Sequence, residues 1–260
     1  MRIFKILVLC LLTLTTSNCS KDSVGESDKI DRSANLMASG DSANDILSNN
    51  QHTDLLIQIA YVEGFQPTQK AIDDFVEFIK ERTYKEKIDL IYKQLPSPEV
   101  DSLDINKIDD LETENRTAYN DGKTLALYIF FADAPAKSKE TKDKDLVTLG
   151  AVYRNTSMVI YESSIRELTK KSIFINNATV EAATLNHEFC HWLGLVDLGT
   201  KPLSPHEDAE RTNHCNVSGC LMQSELEFGQ GMMKMLSAKN SSIPVLGEKC
   251  LADLKSNGGR

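Results

Sequence analysis

The sequence predicts an α/β (α+β) fold, with helices layered on a mixed twisted sheet. Three observations point there. Helical and strand periodicities alternate along the chain. The run Thr124 to Ala132 is almost wholly apolar, as a strand covered on both faces requires. A long helical segment near residue 187 carries a cluster of polar side chains among apolar ones. With 260 residues, 41% of them hydrophobic, the chain can bury a substantial core. A formal charge of -9 argues against a sequence-independent nucleic-acid binder, which needs basic surface. The chain has no apolar run near the length that spans a bilayer.

The first residues read as an address. Arg2 and Lys5 supply positive charge, Ile6 to Leu14 is apolar apart from Thr13, and Thr15 to Asn18 is small and polar. This is the layout of a signal peptide over 1–18. Cys19 stands where cleavage would fall. It resembles the lipidated Cys of a bacterial lipoprotein, and Ser20-Lys21-Asp22 resembles an outer-surface export signal. The resemblance implies a chain lipid-anchored to the outer membrane of a bacterial cell envelope, facing the periplasm or the cell surface; simple secretion is the alternative. Residues 19–51 are rich in Ser, Asp, Asn and Gly with scattered single hydrophobes, so a disordered tether is expected there. The folded domain is then 52–260.

Within that domain, Ile72, Phe75, Val76 and Ile79 repeat at helical spacing and predict a helix over Thr68–Tyr84. Ile88, Leu90 and Tyr92 alternate and predict a strand over Lys87–Gln94, ended by Pro96 and Pro98. A second helix is expected over Ile105–Tyr119, stopped by Asn120-Asp121-Gly122. The buried strand Thr124–Ala132 follows, then a charged, exposed stretch over Pro135–Asp145. Two β-rich runs, Leu149–Tyr153 and Met158–Tyr161, come next. After the short apolar run Ile173-Phe174-Ile175, Asn176-Asn177 offers a cap for a helix over Thr179–Gly194. A last short helix is expected over Glu248–Leu254.

The chemistry concentrates in Thr179–Gly194, which contains His187-Glu188-Phe189-Cys190-His191. Residues four apart share one helix face, so the two imidazoles can bind a single Zn²⁺. Glu188 lies close enough to reach a water at the metal and suits a general base. Gly194 and Asp197 extend the pattern to H-E-x-x-H-x-x-G-x-x-D. A glycine after a helix permits a sharp exit that can return residue 197 to the metal.

This extended motif resembles that of the metzincin clan of zinc metallopeptidases. Most metzincins have His where this chain has Asp197; Asp there is similar to the snapalysin-like branch. Further on, His214-Cys215 and Cys220-Leu221-Met222 resemble the H-C-x4-C-x-M segment of archaemetzincins, whose His is the third catalytic ligand. Here Asp197 to Asn213 intervenes. The third ligand therefore stays open among Asp197, His206 and His214. Met222 matches the Met of the Met-turn beneath the metal, and the clan's C-terminal helix would fall after it. The resemblance implies a zincin domain over 52–260 acting as an endopeptidase on peptides or proteins, with one catalytic zinc ion. It also implies that an extended substrate pairs with an edge strand, expected near Met158–Tyr161.

The archaemetzincin resemblance also implies a second, structural zinc site at the cysteine pair. This chain lacks the later C-x-x-C and has only Cys250. Cys215, Cys220 and Cys250 can therefore form a disulfide from two of the three, or a structural zinc site together with His206 or His214. Cys190 is expected to be a buried free thiol. A different functional class, a non-catalytic surface lipoprotein that uses the fold as a binding module, has no need for Glu188.

Overall fold

The computed structural model describes residues 31–137 and 147–260, all within the unit Asp31–Arg260. The signal segment 1–18, Cys19, the start of the tether and most of the charged stretch over 135–145 lie outside the described residues. The elements run α1 (Ala43–Leu47), β1 (Asp54–Val62), α2 (Gln69–Arg82), β2 (Lys87–Leu95), α3 (Ile105–Asn115), β3 (Thr124–Phe131), β4 (Gly150–Arg154), β5 (Ser157–Ile160), α4 (Glu162–Thr169), α5 (Asn177–Trp192), α6 (Gly229–Ala238) and α7 (Glu248–Ser256).

The five strands form one mixed sheet in the order β2-β1-β3-β5-β4. β1 runs parallel to both β2 and β3, with Ile57 opposite Leu90 on one side and Leu127 on the other. β5 is parallel to β3, and β4 returns antiparallel to β5. As its unbroken apolar run requires, β3 is buried from Leu125 to Phe131. The edge strand beside the site is β4, not the Met158–Tyr161 run. That run forms β5, enclosed between β3 and β4, and all four of its residues are buried.

Helices cover both faces of the sheet. On one face α2 and α5 pack together, with the Phe75 and Phe189 rings edge to face at 5.5 Å and Phe78 beside them at 6.3 Å. Each such ring contributes on the order of 1.5–3 kcal/mol through burial. On the other face Ile108 of α3 joins Tyr128, Phe130 and Val159 in a second apolar cluster. The N-caps follow the sequence: Thr68, Asp104 and Asn176 side chains accept from Ala71, Lys107 and Thr179 N–H.

α3 stops at Asn115, short of the expected Tyr119, because Arg116 turns inward. Its guanidinium donates to Glu112 Oε1 at 2.7 Å, to the Ala118 and Ala126 carbonyls, and to the Thr156 and Ser157 hydroxyls. Both members of this ion pair are buried. Gln58, fully buried in β1, accepts from the Thr117 and Ala118 amides at 2.8 and 2.9 Å, so the polar residue inside the strand is satisfied.

The tether expected over 19–51 is packed from about residue 34 onward. Ile46 and Leu47 of α1 are fully buried. Asn35 is also buried; its amide donates to Asn120 Oδ1, the Ala126 carbonyl and Thr156 Oγ1. Asn155 donates to the Ala34 carbonyl and Ser42 Oγ. Composition misleads here because the polar side chains that suggest disorder are satisfied by partners far along the chain.

Candidate metal centre

Nearly all of α5 is interior: every residue from Val180 to Trp192 is buried. The helix is tied at its start by Glu181, whose carboxylate accepts from Thr68 N–H at 2.8 Å and Thr68 O–H at 2.6 Å. Its far end carries His187 and His191 one turn apart, with their Nε2 atoms 3.2 Å from each other. Two nitrogens on one tetrahedral zinc at 2.0–2.1 Å would stand about 3.3 Å apart.

The third imidazole comes from the segment after the long loop. His214 stacks on His187 with ring centroids 5.3 Å apart and meets His191 edge-on at 5.0 Å. Ligand atoms of His187, His191 and His214 all lie within 4.8 Å of one another. Two of the tautomers are fixed by carbonyls, which can only accept. Leu221 O holds the His187 Nδ1 proton at 2.8 Å, and Thr212 O holds that of His214 at 3.0 Å. Each ring thereby turns a lone pair outward at Nε2, and Glu227 Oε2 stands 3.5 Å from the His214 Nε2. Burial, and then the neighbouring His214, pulls the His187 pKa down to about 4. Burial, followed by His187 and His214, drives His191 well below the ordinary range. Both effects favour the neutral form of His187 and His191, the state that binds a metal. The donor set fits zinc.

Asp197 does not join this group. Gly194 makes the sharp exit its position suggests, at φ 68°, and a Cβ there would meet Thr200 N at 2.7 Å. Val196 and Asp197 also take positive φ, and the turn leaves Asp197 exposed to solvent. The loop is closed instead by Thr200, which donates to the Gly194 and Leu193 carbonyls.

His206 belongs to a second group. It lies with Cys215 and Cys250, ligand atoms within 4.8 Å of one another. Cys250 Sγ is 3.5 Å from His206 Nε2 and 3.6 Å from Cys220 Sγ. Asp253 Oδ2 stands 3.3 Å from the same imidazole nitrogen. Cys190, Cys215, Cys220 and Cys250 are all free and buried, so the three C-terminal cysteines form a thiol cluster with no disulfide among them. Hydrogen bonds from Cys215 and then Cys250 pull the Cys220 thiol well below the ordinary thiol range. Three cysteine sulfurs beside an imidazole are also a donor set that fits zinc.

The two groups share the segment 214–222. Met222 is fully buried in the turn that follows Cys220, and its carbonyl accepts from Cys215 N–H at 2.7 Å. Leu221 of this turn is the residue whose carbonyl orients His187.

Glu188 borders a cleft of ≈ 220 Å³ together with Ala151, Val152, His191, Thr212, His214 and Glu227. Burial, and then the Glu227 carboxylate, raises its pKa well above the ordinary carboxylate range. Its Oε1 has no hydrogen-bond partner. Gly150 of β4 makes room for it: a Cβ there would lie 2.8 Å from Glu188 Cγ and 2.9 Å from Oε1. Gly150 and Glu227 are absent from the sequence-based site. A glycine opening a β-rich run is the signal that points to Gly150; nothing local marks Glu227.

The architecture matches the crystal structure of an archaemetzincin from Methanopyrus kandleri, with a TM-score of 0.50 over 79% of this chain and 96% of that one, at 14% identity. The fold is archaemetzincin-like. No family model and no curated protein matches the sequence. At that identity the likeness concerns the fold alone, and the chemistry rests on the side chains described above.

Proposed function

We propose that this chain is a zinc-dependent metalloendopeptidase that hydrolyses peptide bonds of peptides or proteins. The observation that carries the reading is a cluster of three buried imidazoles, two of which, His191 and His214, line the cleft that Glu188 borders. His187, His191 and His214 would hold the catalytic Zn²⁺. His206, Cys215, Cys220 and Cys250 would hold a structural ion. When bound, the catalytic zinc supplies Lewis acidity, lowering the pKa of a water and polarising the peptide carbonyl.

The chain's own residues do the rest. Glu188 accepts the proton of the attacking water and delivers it to the leaving amine. The gap at Gly150 gives its carboxyl room beside β4, where the Val152 backbone hydrogen-bonds to it. The outer edge of β4 gives an extended peptide backbone a strand to pair with beside the cleft. Leu221 and Thr212 carbonyls keep two imidazoles in the binding tautomer.

Metal analysis alongside peptide-library cleavage tests this. Glu188→Ala should keep the wild-type zinc content and lose activity by about 10²-fold or more. His214→Ala should lose the catalytic ion, and Asp197→Ala should change neither zinc content nor cleavage. Full cleavage by Glu188→Ala, or wild-type zinc content in His214→Ala, would refute the assignment. A protein that binds zinc and cleaves nothing would instead be the binding module.

From its N-terminal residues we also propose that the chain sits at the cell envelope, anchored through Cys19. Labelling with radioactive palmitate in a bacterial host should mark the wild type and not Cys19→Ala. Equal labelling of both would exclude that anchor.

A further inference from the structure

The connection between α4 and α5 presents two bulky hydrophobes to solvent. Ile173 is 90% exposed and Phe174 is 80% exposed, the two largest exposures among the large hydrophobic side chains described. They are consecutive, and a tip of this kind has no folding rationale, because burial is what stabilises such residues. The tip itself is fastened from below. Ser172 Oγ accepts from the Phe174 and Ile175 amides, Ser241 Oγ donates to the Phe174 carbonyl, and Ile175 is buried. Lys170 and Lys171 stand just before it, with side chains 72% and 73% exposed. Glu167 approaches both at 3.3 and 3.7 Å, but exposed pairs of this kind hold weakly and leave the ammonium groups free to turn.

We infer that this tip is a lipid-insertion loop that engages an anionic membrane surface. Two considerations favour lipid over protein. Two exposed side chains offer on the order of 300 Å² of apolar surface, whereas a stable protein interface needs about 800 Å² per partner. Adjacent lysines next to an apolar wedge match the boundary where acyl chains meet anionic headgroups, with long stems that reach back to phosphate. In this arrangement the apolar pair enters the headgroup region and the lysines pair with lipid phosphates.

The placement has a consequence for the metal centre. The tip precedes the N-terminus of α5, and His187 lies ten residues beyond Asn177, so the helix spans about 15 Å between them. That length of helix separates the lipid-engaging end of α5 from the imidazoles. The inference does not depend on the peptidase reading or on Cys19.

The test places a reporter at the tip of the full chain. The single native Trp192 is fully buried and gives a constant background. In Phe174→Trp, fluorescence should shift to the blue on adding vesicles of phosphatidylcholine with phosphatidylglycerol, and acyl-chain-brominated lipid should quench the new indole. Vesicles of phosphatidylcholine alone, or raised salt, should weaken the shift several-fold. Lys170→Glu with Lys171→Glu should do the same. In a Cys19→Ala full chain, Ile173→Ser with Phe174→Ser should lower vesicle partitioning by about tenfold or more while zinc content stays unchanged. Protein that sediments with vesicles while the indole is neither shifted nor quenched would mean anchoring through the N-terminus alone and would overturn the inference. A blue shift that grows with protein concentration without lipid would mean a contact between copies, and would overturn it equally.

Discussion

Gly150 shows how much of the candidate site can rest on a missing side chain. Its backbone lies against Glu188 so closely that one methyl group would displace the carboxyl. Gly150→Ala should therefore lower peptide turnover by about 10- to 100-fold, with zinc content intact, as expected when a proton acceptor moves by roughly 1 Å. Activity equal to wild type in the alanine variant would show that the gap has no bearing on the reaction. The motif residues His187, Glu188 and His191 are legible in the sequence because helical spacing alone brings them together. The third imidazole is not. Spacing favours Asp197, yet three positive φ values at 194, 196 and 197 leave that carboxylate in solvent, and His214 arrives through a loop whose path no local rule encodes.

Among the elements, those with a clean period follow the sequence closely: α2, β2, β3, α5 and α7 fall within a few residues of expectation. β1 goes unassigned because its apolar residues run nearly without alternation and are interrupted by Gln58, whose amide is satisfied only once α3 has ended. α4 and α6 are likewise absent from the sequence-based reading; both are short, and α6 is glycine- and methionine-rich. α3 carries its own testable feature. Glu112 and Arg116 are paired out of water at 2.7 Å. Removing one partner strands a charge in the interior, so Glu112→Ala should destabilise the fold by about 3–5 kcal/mol in denaturant unfolding. A loss below about 1 kcal/mol would mean that the hydroxyls and carbonyls around Arg116 satisfy it unaided.

For the molecule as a whole, the buried titratable groups set a pH window. His187 has a folded pKa of about 4, below its unfolded value, so the unfolded chain binds more protons and stability drops as pH falls below about 6.5. His191, driven lower still, adds to that loss. Glu162 works in the opposite sense. Burial, and then the nearby Glu181, raises it to about 9, so the stability associated with its protonated form is lost as pH climbs towards that value. Glu188, raised by burial and then by the Glu227 carboxylate, acts in the same sense as Glu162, so metal-stripped protein should melt progressively lower as pH rises from about 6.5 towards 9. A melting temperature that is flat from about pH 4 to 9 would show that these groups titrate alike folded and unfolded.

The segment from His214 to Met222 feeds both donor groups, His214 serving the imidazoles and Cys215 and Cys220 the thiols, while Leu221 orients His187 between them. Gaining or losing one residue anywhere in that stretch would put both sets out of register together. Descendants of this gene can therefore exchange side chains there, but the spacing itself is frozen, much as a key tolerates wear on its flanks and not a shift of its teeth.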